Sequence, residues 1–460
     1  MSVRLLRSNW VRLGLFFAVG LLLVTGFSLW KRTSALPPTL APLPQDSLIQ
    51  VYFNHSQAST YVEPYRHKER YGDNLEQIII DTINSAQVSV DVAIHELHLP
   101  GVARALRDRH QAGVKVRVVT EHDYNRLWSA LSPQQSGSLD ERDRGKYLEF
   151  LQLADVNKDG AIAPDEAAQA DSMLILKNAG VPLIDDTADG SAGSALMHHK
   201  FAVIDGKTVL TGSVNWSISE VHGDFLSPES SGNANHLIKI NSPTLATIFT
   251  QEFELMWGNG GQSSRFGLQK PYRPAMQMKF TPQSALVVQF SPTSPSQPWQ
   301  QSVNGLIGMF LSRAAQTVDM ALFVFSDQML SNVLESRHQQ GVQVRGLIDR
   351  GFMYRDYSEG LDMLGTALTG DRCQYEDGNK PWSQAIATVG VPQLAEGDIL
   401  HHKFAVVDHR IVITGSQNWT AAANQSNDEN LLVIDNPTVA AHFEREFERL
   451  YQTAELGIPT

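Results

Sequence analysis

Short apolar, β-rich runs at residues 49–53, 114–119, 201–204 and 208–211 recur at 286–290, 342–348, 404–407 and 411–414, with helical stretches between several of them. Strands alternating with helices predict an α/β fold in which each sheet is mixed, mostly parallel and flanked by helices. One longer run departs from this pattern. Residues 13–30 are uncharged and mostly apolar, preceded by Arg4, Arg7 and Arg12 and followed by Lys31 and Arg32. Such a run just reaches across a bilayer, which takes roughly 17–25 residues, and exceeds the roughly 7–15 residue core of a cleaved signal. Residues 1–32 therefore read as an N-terminal transmembrane signal anchor, with cleavage and secretion as the alternative. The excess of cations before the span places the body of the chain outside the cytoplasm, periplasmic or extracellular. Pro37, Pro38, Pro42 and Pro44 make residues 33–47 an extended tether.

The rest of the chain is a repeat. LMHHKFAVID at 196–205 returns as LHHKFAVVD at 400–408, and each is followed by a Thr-Gly-Ser-x-Asn-Trp block. Upstream, AQVSVDVA at 86–93 matches AQTVDMA at 315–321, and QAGVKVR at 111–117 matches QGVQVR at 340–345. Two tandem domains are expected, 48–257 and 284–460, joined by a Gly/Ser-rich linker at 258–283 and packed about a pseudo-twofold axis. Asp319 lies 228 positions after Asp91 but His401 only 203 after His198, so the first half carries 25 additional residues between these points.

Cleaving a phosphodiester without a metal requires a nucleophile, an acid for the leaving oxygen, and donors that hold the phosphate oxygens. Residues two apart on a strand share a face, so His198 pairs with Lys200 and His401 with Lys403, while His199 and His402 point the other way. The Ser213 and Asn215 pair, matched by Ser416 and Asn418, adds hydrogen-bonding groups after a glycine that permits close approach. Asp205 and Asp408 close the two strands, where they are candidates for chemistry or for ordering the turn.

These blocks resemble the paired His-x-Lys-x4-Asp motifs of the phospholipase D superfamily, over essentially residues 48–450. The resemblance implies a catalytic set of His198, Lys200, Asp205, His401, Lys403 and Asp408. One histidine forms a covalent phosphohistidine and the other protonates the leaving alcohol; His198 is assigned as nucleophile and His401 as acid. Lys200, Lys403, Asn215 and Asn418 hold phosphate oxygens, with Ser213 and Ser416 in support, and no cofactor is needed for the chemistry. The family pattern also places an acidic residue after the second block, where Glu429 stands to orient a histidine. The first half departs from it: Asn235 occupies the matching position after a loop nine residues longer. Glu220 and Asp224 in that loop are the candidates to replace the missing carboxylate.

Within the additional segment, at about 144–178, residues 155–166 match a twelve-position EF-hand loop: Asp155, Asn157, Asp159, the Ala161 carbonyl and Glu166 as Ca2+ ligands, with Gly160 at the sixth position. Helices at 144–154 and 166–178 are expected to flank it. The alternative is a surface turn that binds no metal.

Net charge is −12, which disfavours broad nucleic-acid binding, and the one cysteine, Cys373, excludes a disulfide or a cysteine-based metal site. With a membrane anchor nearby, a phospholipid is the favoured substrate. A tethered endonuclease and a phosphatidyltransferase of the cardiolipin synthase kind are the alternatives. Both motifs lie in one chain, so a monomer is expected to be catalytically complete. Trp216 and Trp419 are candidates for the groove or the core. His95-Glu96, opposite Phe323-Val324, are candidates for a headgroup contact or a buried satisfied pair.

Overall fold

The structure, a computed structural model, describes residues 39–370 and 372–458. The predicted anchor and the start of the tether lie outside the described residues, and no helix among the latter is long and apolar enough to cross a membrane. The remainder of the tether is not loose. Arg445 donates to the Ala41 carbonyl (2.7 Å) and Asn436 to Asp46 (3.0 Å), which binds this segment to the C-terminal half.

The first half supplies β1 (Ile49–Phe53), a hairpin of β2 (Thr60–Val62) and β3 (Glu69–Tyr71), β4 (Ser89–Ile94), β5 (Lys115–Thr120), β6 (Leu183–Asp185), β7 (Lys200–Ile204), β8 (Thr208–Gly212) and β9 (His236–Asn241). Its main sheet runs β1-β9-β8-β7-β4-β5-β6. The second half supplies β10 (Met276–Thr281), β11 (Ser284–Phe290), β12 (Thr317–Leu322), β13 (Gln343–Ile348), β14 (Val389–Val391), β15 (Lys403–Val407), β16 (Ile411–Gly415), β17 (Asn430–Asp435) and β18 (Glu455–Leu456), ordered β10-β11-β17-β16-β15-β12-β13-β14-β18. Part of the expected linker is thus the edge strand β10.

The sheets are mixed, but the expectation that they are mostly parallel is wrong. Only β4-β5-β6 and β12-β13-β14 run parallel; the other pairs are antiparallel. A helical crossover is what makes neighbouring strands parallel, and such crossovers serve only the β4–β6 and β12–β14 segments. The motif strands β7 and β15 instead return at once through tight turns. Asp205 and Gly206 take φ of 53° and 60°, and Asp408 and His409 take 50° and 57°. These left-handed pairs suit the twist of a short hairpin.

One face of each sheet is covered by its crossover helices, Leu75–Asn84 and Pro100–Gln111 in the first half, Val303–Leu311 and Gln328–Gln339 in the second. The other faces share a core. Helix Pro243–Trp257 presents Leu245, Phe249 and Phe253 at four-residue spacing, and helix Pro437–Tyr451 presents Val439, Phe443 and Phe447. All six side chains are fully buried in one cluster with Phe201 and Phe404. Each contributes about 1.5–3 kcal/mol by burial, so this continuous core fixes the two halves against each other. Isolated bridges occur in matched pairs, Leu97 with Trp216 as Phe325 with Trp419, and Met197 with Asp428 as Leu400 with Ala234. This correspondence is the pseudo-twofold relation read from the repeat.

The additional segment forms a small subdomain. Helices Glu141–Ala154, Pro164–Ala170 and Ser172–Asn178 pack Phe150, Ala154 and Ala170 against Trp128. The helix expected at 166–178 breaks at Asp171, whose side chain caps the second piece through Leu174 N (3.2 Å).

Candidate active site

The two motif histidines sit just before β7 and β15, where the strand ladder continues: His95 N donates to the His199 carbonyl (2.9 Å) and Phe323 N to that of His402 (2.8 Å). Alternation then sends His198 and His401 toward the boundary between the halves. His199 and His402 turn the other way, onto Glu252 (3.4 Å) and Glu446 (2.9 Å). The opposite half clamps each motif: His198 N donates to the Asp428 carbonyl (3.0 Å), and His401 N to that of Ala234 (3.1 Å).

The ring partners also cross the boundary. His198 Nδ1 lies 2.8 Å from Glu429 Oε2, while His401 Nδ1 lies 3.0 Å from Asn235 Oδ1 and 3.1 Å from Glu220 Oε2. With Nδ1–H donated to these oxygens, each neutral ring keeps its Nε2 lone pair for chemistry. Glu220 therefore supplies the carboxylate that Asn235 lacks, and it also accepts from Asn215 Nδ2 (3.1 Å). Asp224 does not; its carboxylate caps Leu226 N (2.8 Å). In the second half Ala423 stands where Glu220 stands in the first, so the two carboxylates come from different positions of the repeat.

Ser213 and Ser416 are fully buried and act behind these partners. Ser213 donates to Asn235 Oδ1 (2.8 Å), and Ser416 bonds Glu429. They position the groups that hold the histidines, a supporting place behind them.

Two cations are buried beside the rings. Lys200 and Lys403 are 2% and 1% exposed, and their ammonium groups donate to the carbonyls of His198 (2.9 Å) and His401 (2.7 Å). Burial, and next Lys200, pushes the Lys403 ammonium well below its ordinary range. Taking two such charges out of water is costly, and for Lys403 the carboxylates of Glu220, Glu429 and Asp349 offset part of that cost. The lysines and the two imidazoles suit a phosphate held between them; Asn215 and Asn418 do not add to this, since each leaves a buried carbonyl oxygen, an acceptor, unpartnered.

The two imidazoles are electrostatically unlike. Burial, then Lys200 and Lys403, holds His198 well below the usual imidazole range. Burial lowers His401 to about 4, but Glu220 opposes the loss of its proton. Burial pushes the Glu220 carboxyl up, and His401 more than reverses this, holding it at about 2. Burial pushes Glu429 up to about 7 against the pull of Lys200. The stronger anion thus stands beside His401.

Other residues do not converge here. Asp205 accepts from the amides of Gln87, Val88 and Ser89, and Asp408 from those of Ala315, Gln316 and Thr317. At about 3.3 Å per strand residue they lie roughly 20 Å along the chain from the histidines. Both fasten the start of the neighbouring strand and are corrected from the catalytic set. Trp216 and Trp419 are 1% and 0% exposed and belong to the cores.

The 155–166 loop has its turn, with Lys158 and Gly160 at φ of 59° and 83°. Its carboxylates, however, serve amides: Asp155 accepts from Asp159 and Gly160, Asp159 from Ala161, and Glu166 from Val156, Asn157 and Ala163. Among the described residues the only metal-type side chains that converge are Glu121, His122 and Asp186. The carboxylates of Asp155, Asp159 and Glu166 form no such group, and Glu166 is held by the loop's own amides.

Two braces were not read from the sequence. Glu121 accepts from Met197 N (2.6 Å) and Asp349 from Leu400 N (2.9 Å), fixing the residue before each motif histidine. Their matched places after β5 and β13 carried the signal. Below His199, Glu252 is paired with Arg273 (3.0 Å) and with Lys270, whose ammonium also meets Asp428 (2.7 Å).

The family model described as "Cardiolipin synthase, PLD-like domain" matches residues 79–257 and 307–451. The chain belongs to this PLD-like family. It is also similar to a mitochondrial cardiolipin hydrolase of Xenopus tropicalis, 31% identical over 157 residues, which are 34% of this chain and 64% of that protein. A phospholipase D of Rickettsia felis is 27% identical over 133 residues, 29% of this chain and 56% of that protein. The alignments thus span less than two thirds of both relatives. Among solved structures, the phosphatidylserine synthase of Haemophilus influenzae shares the fold over 90% of this chain and 88% of its own, with a TM-score of 0.53 and 12% identity. The PLD-like family contains phosphodiesterases, in keeping with the paired histidines.

Proposed function

We propose that the protein hydrolyses a phospholipid phosphodiester through a phosphohistidine on His198, with His401 as acid and then base. The observation that carries this is the pair of imidazoles whose Nδ1 atoms are each held from the opposite half, with Lys200 and Lys403 buried beside them. His198, the ring more strongly held neutral, offers its Nε2 lone pair to phosphorus. As the P–N bond forms, the P–O bond to the leaving alcohol breaks and His401 gives that oxygen its proton. Water then loses a proton to His401, its oxygen attacks phosphorus, and the P–N bond breaks. An alcohol in place of water gives transfer by the same steps.

The names of the relatives, cardiolipin hydrolase and phospholipase D, support a lipid substrate, as does the net charge of −12, which disfavours polyanionic nucleic acid. We place the catalytic body outside the cytoplasm on a membrane anchor, from the sequence of residues 1–32. The 155–166 loop enters this reading as a weak calcium site that braces the subdomain; its spacing supports this, and Glu166 has to leave its amides to ligate. The test is hydrolysis of phosphatidylcholine vesicles beside single-stranded DNA, with His198→Ala as control. Cleavage of DNA alone overturns the lipid reading.

A further inference from the structure

Just beyond the ends of β5 and β6 the first half gathers Glu121, His122 and Asp186, with one ligand atom of each within 4.8 Å of the others. Glu121 and Asp186 are 1% and 0% exposed, whereas the His122 side chain is 33% exposed and leaves a route in. His122 Nδ1 lies 2.9 Å from Asp186 Oδ1 and 2.7 Å from Glu121 Oε1. A ring nitrogen carries at most one hydrogen, whether the imidazole is charged or neutral, and here that hydrogen is directed to Asp186. Glu121 Oε1 therefore points at the nitrogen with no hydrogen between them. Its carboxylate accepts only through Oε2, from Met197 N, among the described residues. Two buried carboxylates thus converge on one nitrogen that brings at most one positive charge, and excess buried charge is costly. The second half balances its brace differently. Asp349 accepts from Leu400 N as Glu121 does from Met197 N, but Arg350, a permanent cation, stands where His122 does, and Pro392 stands where Asp186 does.

We infer that Glu121 Oε1, His122 Nδ1 and Asp186 Oδ1 hold a divalent transition-metal ion of the zinc class, which locks the residue preceding His198. One imidazole nitrogen with two carboxylates suits zinc, whereas calcium takes oxygen ligands. The ion displaces the hydrogen on Nδ1, and the ring keeps one on Nε2, where Asp123 Oδ1 is 3.5 Å away to receive it. Bonds of about 2.0–2.2 Å to a tetrahedral ion set its ligands roughly 3.4 Å apart. The 2.7 and 2.9 Å contacts of Nδ1 then open by about half an ångström. Glu121 Oε2 stays on Met197 N (2.6 Å) and Asp186 Oδ2 on Ser194 N (2.6 Å), so both carboxylates are already oriented from behind. The ion takes no part in the chemistry; it reaches His198 only through Met197. The site is separate from the 155–166 loop and does not depend on which phosphodiester is cleaved.

The test is calorimetric titration of the full-length protein with ZnCl2 after stripping with EDTA and dialysis, beside melting curves with and without zinc. Wild-type protein is expected to bind one ion per chain and to melt higher with it. His122→Arg, which gives this half the residue of the other, and Asp186→Asn are each expected to weaken binding by more than about tenfold, the least that loss of an outer-shell partner costs. Melting curves in EDTA report whether each variant is folded, and if one is not, the other decides. Glu166→Gln, in the 155–166 loop, is expected to bind zinc as wild type does. Wild-type protein that binds no zinc, binding that survives His122→Arg or Asp186→Asn, or binding lost in Glu166→Gln overturns the inference.

Discussion

Glu220→Gln is the substitution that separates the two histidines most sharply. The carboxylate lies 3.1 Å from His401 Nδ1 and is held at about 2, so it is an anion throughout the neutral range. A unit charge at that distance is worth at most about 5 kcal/mol at an effective dielectric constant of 20. The shift a neighbouring carboxylate usually produces is about 1–3 pH units, each equivalent to 1.36 kcal/mol. The sign is set by which form the anion favours. Removing it disfavours the imidazolium, so His401 falls further below its present value of about 4. If His401 is the acid, kcat/KM follows its protonated fraction, and the alkaline limb of the pH profile moves to lower pH by the same amount. At pH 7 that is a loss of roughly 10- to 1000-fold. The assay is initial-rate hydrolysis of bis(4-nitrophenyl) phosphate across pH, with a melting curve at each pH to confirm folding. Glu429→Gln, beside His198, is expected to leave the alkaline limb in place. An unmoved limb in Glu220→Gln, or an equal movement in Glu429→Gln, refutes the assignment of unequal roles.

Lys403→Met replaces a buried cation by an apolar side chain of similar length, so it is expected to raise the melting temperature by the equivalent of about 1–3 kcal/mol while lowering kcat/KM at least a hundredfold; a lower melting temperature contradicts the reading that burying this ammonium costs stability. Asp205→Asn is expected to cost about 1–2 kcal/mol of stability, as loss of a cap does, with kcat intact, measured by urea unfolding and turnover. Burial raises Asp205 but the amides of Ser89, Gln87 and Val88 outweigh it and hold it below its ordinary value, so this stabilisation is present above the unfolded pKa of about 3.9 and is lost as pH falls through the lower folded value. Calcium at ten times its Kd is expected to raise the wild-type unfolding free energy by about 1.4 kcal/mol and to do nothing for Glu166→Gln; a wild-type melting curve insensitive to millimolar calcium removes the loop from the account.

The chemistry was legible in the sequence where it depended on spacing. A two-residue period chose His198 and His401 over His199 and His402, and the buried contacts of the latter with Glu252 and Glu446 agree. Asn235 was legible as the missing carboxylate, but the choice of Glu220 over Asp224 depended on how a four-residue helix, Ile218–Val221, turns after the Asn-Trp block. Asp205 and Asp408 belong to the motif yet not to the site, since a strand carries them away from the histidines. Strand direction was not legible either. Helices between apolar runs imply parallel strands only when the chain crosses over, and the tight turns at Asp205-Gly206 and Asp408-His409 return β7 and β15 instead. The calcium ligands have the right spacing, but spacing does not show that the Glu166 carboxylate is already bound to amides.

The proposed reaction runs through a covalent intermediate on His198. Intact-protein and peptide mass spectrometry of His401→Ala after reaction with bis(4-nitrophenyl) phosphate tests it most directly, because this leaving group departs without an acid while hydrolysis of the intermediate still needs the base. The expected result is an acid-labile nitrophenyl phosphoryl adduct on the peptide containing His198, absent from His198→Ala. An adduct on His401 in His198→Ala with none on His198, or wild-type turnover with no adduct in either variant, contradicts the account.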